Sequence, residues 1–263
     1  LKGKERKGMF DKHIKKTIFT LCVDNYAPEI TALTYPLIKR YAQKIGADFH
    51  VITERKYPEF APVYEKVQIY DLAQQMENTW NIYIDSDALV HPDTPDWTQF
   101  IPLDTVAHNG RDMAPIRWKF DRFFQRDGRK IGSCNWMTFG SYQCIELWKP
   151  LDDLTQEEAL ENINPIVHEL NTVVDRKHLI DDYTLSRNIA KYGLKFTTLR
   201  DIFQPWGFQD GNWFWHQYTH PGEVKVVMMR QQLINWGIVK PDYFGNNQKL
   251  VSEIKNDCLQ NTK

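Results

Sequence analysis

The stretch from position 81 to 90, Asn-Ile-Tyr-Ile-Asp-Ser-Asp-Ala-Leu-Val, constrains this chain more than any other. Its apolar run at 82–84, β-branched and aromatic, has the composition of a buried strand and stops at two carboxylates one residue apart. In an extended backbone alternate side chains share a face, so Asp85 and Asp87 point one way and Ser86 another. Like charges held this close repel unless a cation lies between them. A divalent ion with open coordination positions meets that need and then takes phosphate oxygens from a ligand. A pair of turn or helix-capping aspartates after a strand is the plainer alternative.

What precedes this stretch sets the fold class. Residues 17–23 have a strand pattern ending at Asp24-Asn25-Tyr26. A helix is predicted after Pro28, with Ile30, Leu33, Leu37, Tyr41 and Ile45 on one face and Gly46 as its stop, and residues 48–52 form the next strand. Strand–helix–strand opens an α/β domain with a mostly parallel central sheet flanked by helices. Ligands of such sheets gather at the carboxyl ends of the strands, which brings Asp24, Tyr26, Asp85 and Asp87 to one crevice. Tyr26 reads equally well as a half-buried loop aromatic. No glycine-rich loop follows the first strand, which argues against a dinucleotide fingerprint or a Walker-type loop.

Residues 63–75 have a helical pattern, with Val67, Tyr70, Leu72 and Ala73 towards the core; a lone lysine on such a helix, here Lys66, ordinarily faces solvent. Further along, strands are predicted at 106–108, 135–139 and 195–199. Helices are predicted at 142–148, ended by Pro150, and from Asp181-Asp182 to 190, stopped by Gly193.

With 263 residues, 42% of them hydrophobic, the chain can bury a full core, and its net charge of −1 argues against a nucleic-acid partner. The predicted organisation is a basic flexible arm at 1–16, a single catalytic domain at 17–245 and a tail at 246–263. Nine Trp serve a core but also make stacking platforms for bases and sugar rings. Cys22, Cys134, Cys144 and Cys258 show no paired or zinc-like spacing, so a reducing, cytoplasmic setting without structural disulfides is expected. No apolar run approaches the ~18 residues of a membrane span, and the basic arm allows at most peripheral membrane contact.

Four stretches, in this order, carry a resemblance: Val23-Asp24-Asn25-Tyr26; Tyr64-Glu65-Lys66-Val67-Gln68-Ile69-Tyr70-Asp71-Leu72; the strand and Asp-Ser-Asp at 82–90; and His220-Pro221-Gly222-Glu223-Val224-Lys225. Together they resemble the metal-dependent, nucleotide-sugar-using glycosyltransferases of the GT-A fold, most of all the glycogenin-type retaining family. The resemblance implies that Asp85, Asp87 and His220 hold Mn²⁺ or Mg²⁺, a set whose imidazole favours Mn²⁺. It implies donor contacts from Asp24, Tyr26, Lys66, Ser86 and Lys225, with a UDP-sugar favoured over a GDP-sugar and a carbohydrate acceptor. Asp181-Asp182 resembles the acidic element facing the anomeric carbon in several retaining families, and Asp182 is the leading catalytic candidate. Capping of the following helix is the alternative for both. For His220 the alternative is an ordinary histidine in an aromatic segment, with His216 next in line as ligand.

The chain departs from the family pattern in two places. The His element is one residue short and runs into Val226 and Val227 instead of Pro-Trp, and the family's Asn-Ser-Gly or Asn-Ala-Gly appears only as Asn135-Trp136-Met137. Two rival functions remain. A haloacid-dehalogenase-like phosphatase also places Asp-X-Asp after an apolar strand, although usually on the domain's first strand. A non-enzymatic sugar-binding protein would use the many Trp residues but would not need the carboxylates, Lys66 and His220 together.

Overall fold

Strand β1 (Lys16–Leu21) lies between two parallel neighbours, β2 (Ala47–Ile52) and β3 (Trp80–Ile84). The computed structural model describes residues 14–109, 135–165, 167, 173–204, 212–217, 222–240 and 243. Three further strands, β5 (Thr105–His108), β6 (Met137–Ser141) and β7 (Lys195–Thr198), complete a six-stranded sheet of order β2-β1-β3-β6-β5-β7. β6 runs against β3 and β5, while β5 and β7 are parallel. The sheet is therefore mixed but mostly parallel, as expected. A second, two-stranded sheet pairs β4 (Leu89–Val90) with β8 (Phe214–Trp215).

The first crossover is helix α1 (Pro28–Ile45). Pro28 suits its first turn, and Gly46 ends it in the left-handed conformation (φ 66°), its amide donating to the Ala42 and Gln43 carbonyls. The buried stripe is wider than predicted. Ile30, Thr34, Tyr35, Ile38, Tyr41, Ala42 and Ile45 are buried, whereas Leu33 and Leu37 are half-buried and pack with Leu89, Met229 and Leu233. The reason is that α1 is covered twice, by the sheet and by helix α6 (Gly222–Asn235), so no single stripe describes it.

Several predicted elements change form. The segment predicted as one helix at 63–75 is a 3₁₀ stretch, Pro62–Gln68, that passes into α2 (Ile69–Gln75). Tyr142–Trp148 is likewise 3₁₀, started by the Ser141 hydroxyl accepting from the Gln143 amide. β7 stops at Thr198 because that residue caps the short helix α5 (Leu199–Phe203), its hydroxyl accepting from the Asp201 amide at 2.9 Å. Two further α-helices among the described residues are α3 (Gln156–Glu161), opened by a Thr155/Glu158 capping box, and α4 (Ile180–Tyr192), ended by Gly193 at φ 65°.

Alternation along the strands divides the core in two. Ile18, Ile82, Ile84, Ala107 and Phe139 pack on the α1 side, while Phe19, Tyr83 and Val106 pack on the side of α2 and α4. Tyr83 and Asp85 therefore share the second face, and Asp85 lies where that face meets the carboxyl end of β3. Among the described residues no helix is long and apolar enough to cross a membrane.

Candidate metal and donor site

Asp85 follows the last residue of β3, where its amide donates to the Trp136 carbonyl at 2.7 Å. The chain then turns: the Ala88 amide donates back to the Asp85 carbonyl at 3.0 Å. The two carboxylates do come together, but through this turn and not along an extended strand as the sequence pattern implied. Ser86, at the turn's centre, is buried, and its carbonyl accepts from the Thr34 hydroxyl on α1 at 2.5 Å. β4 resumes at once and pairs with β8, Leu89 opposite Trp215. One step beyond that pair His216 meets the carboxylates.

The His216 Nε2 lies 3.1 Å from Asp87 Oδ1 and 3.7 Å from Asp85 Oδ2. One ligand atom from each of Asp85, Asp87 and His216 falls within 4.8 Å of the others. Two carboxylate oxygens and an imidazole nitrogen at this spacing fit a divalent cation. His220, the predicted third ligand, lies outside the described residues.

Both predicted lysines reach this cluster. The Lys225 ammonium, on α6, donates to Asp87 Oδ2 at 2.5 Å, and the Tyr26 hydroxyl donates to the same oxygen at 3.2 Å. Burial works against the Asp87 charge, but His216 and Lys225 outweigh it and hold the carboxyl below the usual carboxylate range. The Tyr26 hydroxyl is pushed well above its ordinary value by burial, by Asp87 and by Asp85, so it stays a donor.

Lys66 is buried, 3% exposed, contrary to the surface position ordinary for a helical lysine. Its ammonium donates to Asp181 Oδ2 at 2.5 Å and to the Asn135 carbonyl at 3.3 Å, and lies 3.1 Å from Asp85 Oδ1. Tyr83 completes this side, its hydroxyl donating to Asp85 Oδ1 at 2.7 Å while Lys66 sits 4.5 Å above its ring. Enclosure opposes the Lys66 charge, yet Asp181, Asp85 and Asp182 outweigh it and hold the ammonium above its ordinary value. Enclosure also pushes the Asp181 carboxyl upward against the pull of Lys66. The two tendencies compete for one proton. The ion pair wins, because Lys66 has two further carboxylates to hold its charge.

Asp181 and Asp182 occupy the first turn of α4, behind Leu179 at the N-cap position, whose side chain makes no capping bond. Asp182 Oδ1 accepts from the Asn135 amide at 2.8 Å. Asp24 stands apart from the cluster. It adopts φ 54°, its carboxylate is 61% exposed, and it pairs with Arg55 at 3.0 Å. Asn135 and Trp136, noted in the sequence only as a departure from the family pattern, join the site, as does Tyr83, which the sequence marked only as part of a strand.

The assembled crevice has carboxylates in excess over ammonium groups. Asp85, Asp87, Asp181 and Asp182 surround Lys66 and Lys225, an imbalance that a divalent cation offsets. The two lysines in turn offer positive charge to an anionic ligand placed beside that cation.

No protein-family model and no curated protein sequence matches the chain. Among solved structures it is similar to a glycosyltransferase involved in the glycosylation of the major capsid of PBCV-1, at 16% identity and a TM-score of 0.46, over 82% of this chain and 99% of that one.

Proposed function

We propose that this chain is a divalent-metal-dependent glycosyltransferase of the GT-A type that moves a sugar from a nucleoside-diphosphate sugar to a carbohydrate acceptor. The observation that carries this reading is the meeting of Asp85, Asp87 and His216 at the carboxyl end of β3, flanked by two buried lysines. Held by these three side chains, Mn²⁺ or Mg²⁺ supplies Lewis-acid neutralisation of a leaving diphosphate. Lys225 and Lys66 add fixed positive charge in a site sheltered from water, where it counts for more than in bulk solvent. Ser86, anchored by Thr34, presents the turn to the donor, and Tyr26 with Asp24 forms the nucleoside side, with uridine favoured.

Breaking the glycosidic bond leaves positive charge on the sugar, and a nearby carboxylate stabilises it. Asp182 takes this role and Asp181 keeps Lys66 in place, on a retaining course within the glycogenin-type group. A haloacid-dehalogenase-type phosphatase is less well served, because both oxygens of Asp85 already have polar neighbours in Tyr83, Lys66 and His216. The deciding experiment is a hydrolysis and transfer screen of UDP- and GDP-sugars with and without Mn²⁺, alongside small phosphoesters. Metal-dependent release of the nucleoside diphosphate supports the proposal, and phosphate release from phosphoesters alone rejects it.

A further inference from the structure

We propose that Trp136 is a positioning residue that sets the geometry of the metal site by gripping two of its three ligands at once. This rests on the metal reading of Asp85, Asp87 and His216 given above. Trp136 stands at the entry to β6, one step beyond the Ile84–Met137 pair, which places it opposite Asp85. Its carbonyl accepts the Asp85 amide at 2.7 Å, fixing where the first carboxylate leaves the strand. Its indole lies flat against the His216 ring, with centroids 5.0 Å apart and planes 15° from parallel. One residue just before β6 thus joins Asp85 at the end of β3 to His216 just after β8.

The stack matters because nothing in the short β8 strand fixes a ring plane. Backbone pairing of Leu89 with Trp215 brings His216 to the cluster but leaves its side-chain torsions open. An imidazole ligates through a nitrogen lone pair lying in the ring plane, so rotation about the ring's attachment swings the lone pair off the ion. A planar indole against one face restricts that rotation, a task that hydrogen-bonded outer neighbours perform at other metal sites. The two grips also separate cleanly. The carbonyl contact survives any side-chain replacement, while the stack needs an aromatic ring. Trp136 is half-buried, so the side chain can be changed without emptying the core.

The test measures Mn²⁺ affinity directly, without nucleotide or turnover, from the electron-paramagnetic signal of free Mn²⁺ in titrations of the full chain. Wild type, Trp136→Phe, Trp136→Ala, His216→Ala and the Trp136→Ala/His216→Ala double variant are compared, each checked for fold by circular dichroism. Trp136→Ala is expected to raise the Mn²⁺ Kd by about tenfold or more, and Trp136→Phe to stay within about threefold of wild type. Because Trp136 acts through His216, the double variant should bind no more weakly than His216→Ala alone. Wild-type affinity in Trp136→Ala, or losses that multiply in the double variant, would overturn the role of Trp136 while leaving the metal site standing. Should Trp136→Ala fail to fold, Trp136→Leu takes its place with the same expectation. If wild type and His216→Ala bind Mn²⁺ equally poorly, the metal reading itself fails and this inference falls with it.

Discussion

Lys66 and Asp181, 115 positions apart in sequence, meet at 2.5 Å as an ion pair with almost no solvent contact on either side chain. The pair joins the 3₁₀ stretch before α2 to the first turn of α4, and through Asp85 it reaches the end of β3. It is thus both part of the candidate site and a tie between three elements.

Removing one partner of such a pair strands a buried charge. Lys66→Met should destabilise the fold by about 3–5 kcal/mol, because Asp181 and Asp85 lose their compensating ammonium. For a chain of this size that is a fall in Tm of roughly 6 °C or more. Removing both partners, in Lys66→Met/Asp181→Leu, should recover more than half of the loss. Calorimetry on the three proteins decides. If the single variant melts with wild type, the pair contributes nothing to stability.

A nucleoside diphosphate should stabilise the protein only together with the cation. At a concentration about one hundred times Kd, linkage gives about 2.7 kcal/mol, or a rise in Tm of roughly 5 °C. UDP with Mn²⁺ is expected to show this rise, and UDP in excess chelator is not. Equal stabilisation under both conditions would mean that the nucleotide binds without the carboxylate pair.

The parts of the site marked by punctuation were legible in the sequence. β3 breaks off at a charge, so Asp85 could be placed at a strand end, and α1 carries its own start and stop in Pro28 and Gly46. Other parts depend on distant partners. Lys66 looks like a surface lysine until α4 brings Asp181 against it. The place of His216 was hidden for a similar reason. A motif with glycine and lysine downstream pointed to His220, whereas His216 is positioned by a pairing of two residues with two, β4 with β8, too short to leave any periodicity. The turn at residues 85–88 was hidden for the opposite reason, since Asp-Ser-Asp is compatible with both strand and turn.

His108 offers a test of the fold away from the site. It is fully buried in β5 and stacks on Phe196, with centroids 4.6 Å apart, and burial pushes its pKa down to about 3 from the ordinary 6.5. Between those two values the unfolded chain holds a proton on this ring that the folded chain does not. Stability from this group is complete above about pH 6.5 and is lost as pH falls towards 3. From pH 7 to pH 5 the loss amounts to about 2 kcal/mol. Denaturant unfolding at both pH values, in wild type and His108→Phe, isolates the contribution, since other titrating groups act in both proteins. Equal pH dependence in the two would show that the buried ring does not resist protonation.

Asp182 is where the catalytic reading is most exposed to refutation. Its carboxylate accepts the Asn135 amide, and it lies close enough to Lys66 to support that ammonium's charge. Asp182→Asn keeps the shape and keeps an oxygen able to accept from Asn135, but it removes the negative charge. If that charge stabilises a cationic sugar, the variant should lose about a hundredfold or more in kcat while nucleotide affinity stays within about twofold. A helix-capping role predicts the reverse, a lower Tm with turnover intact. Measuring kcat, nucleotide Kd and Tm on one preparation separates the two, because only charge stabilisation moves kcat alone.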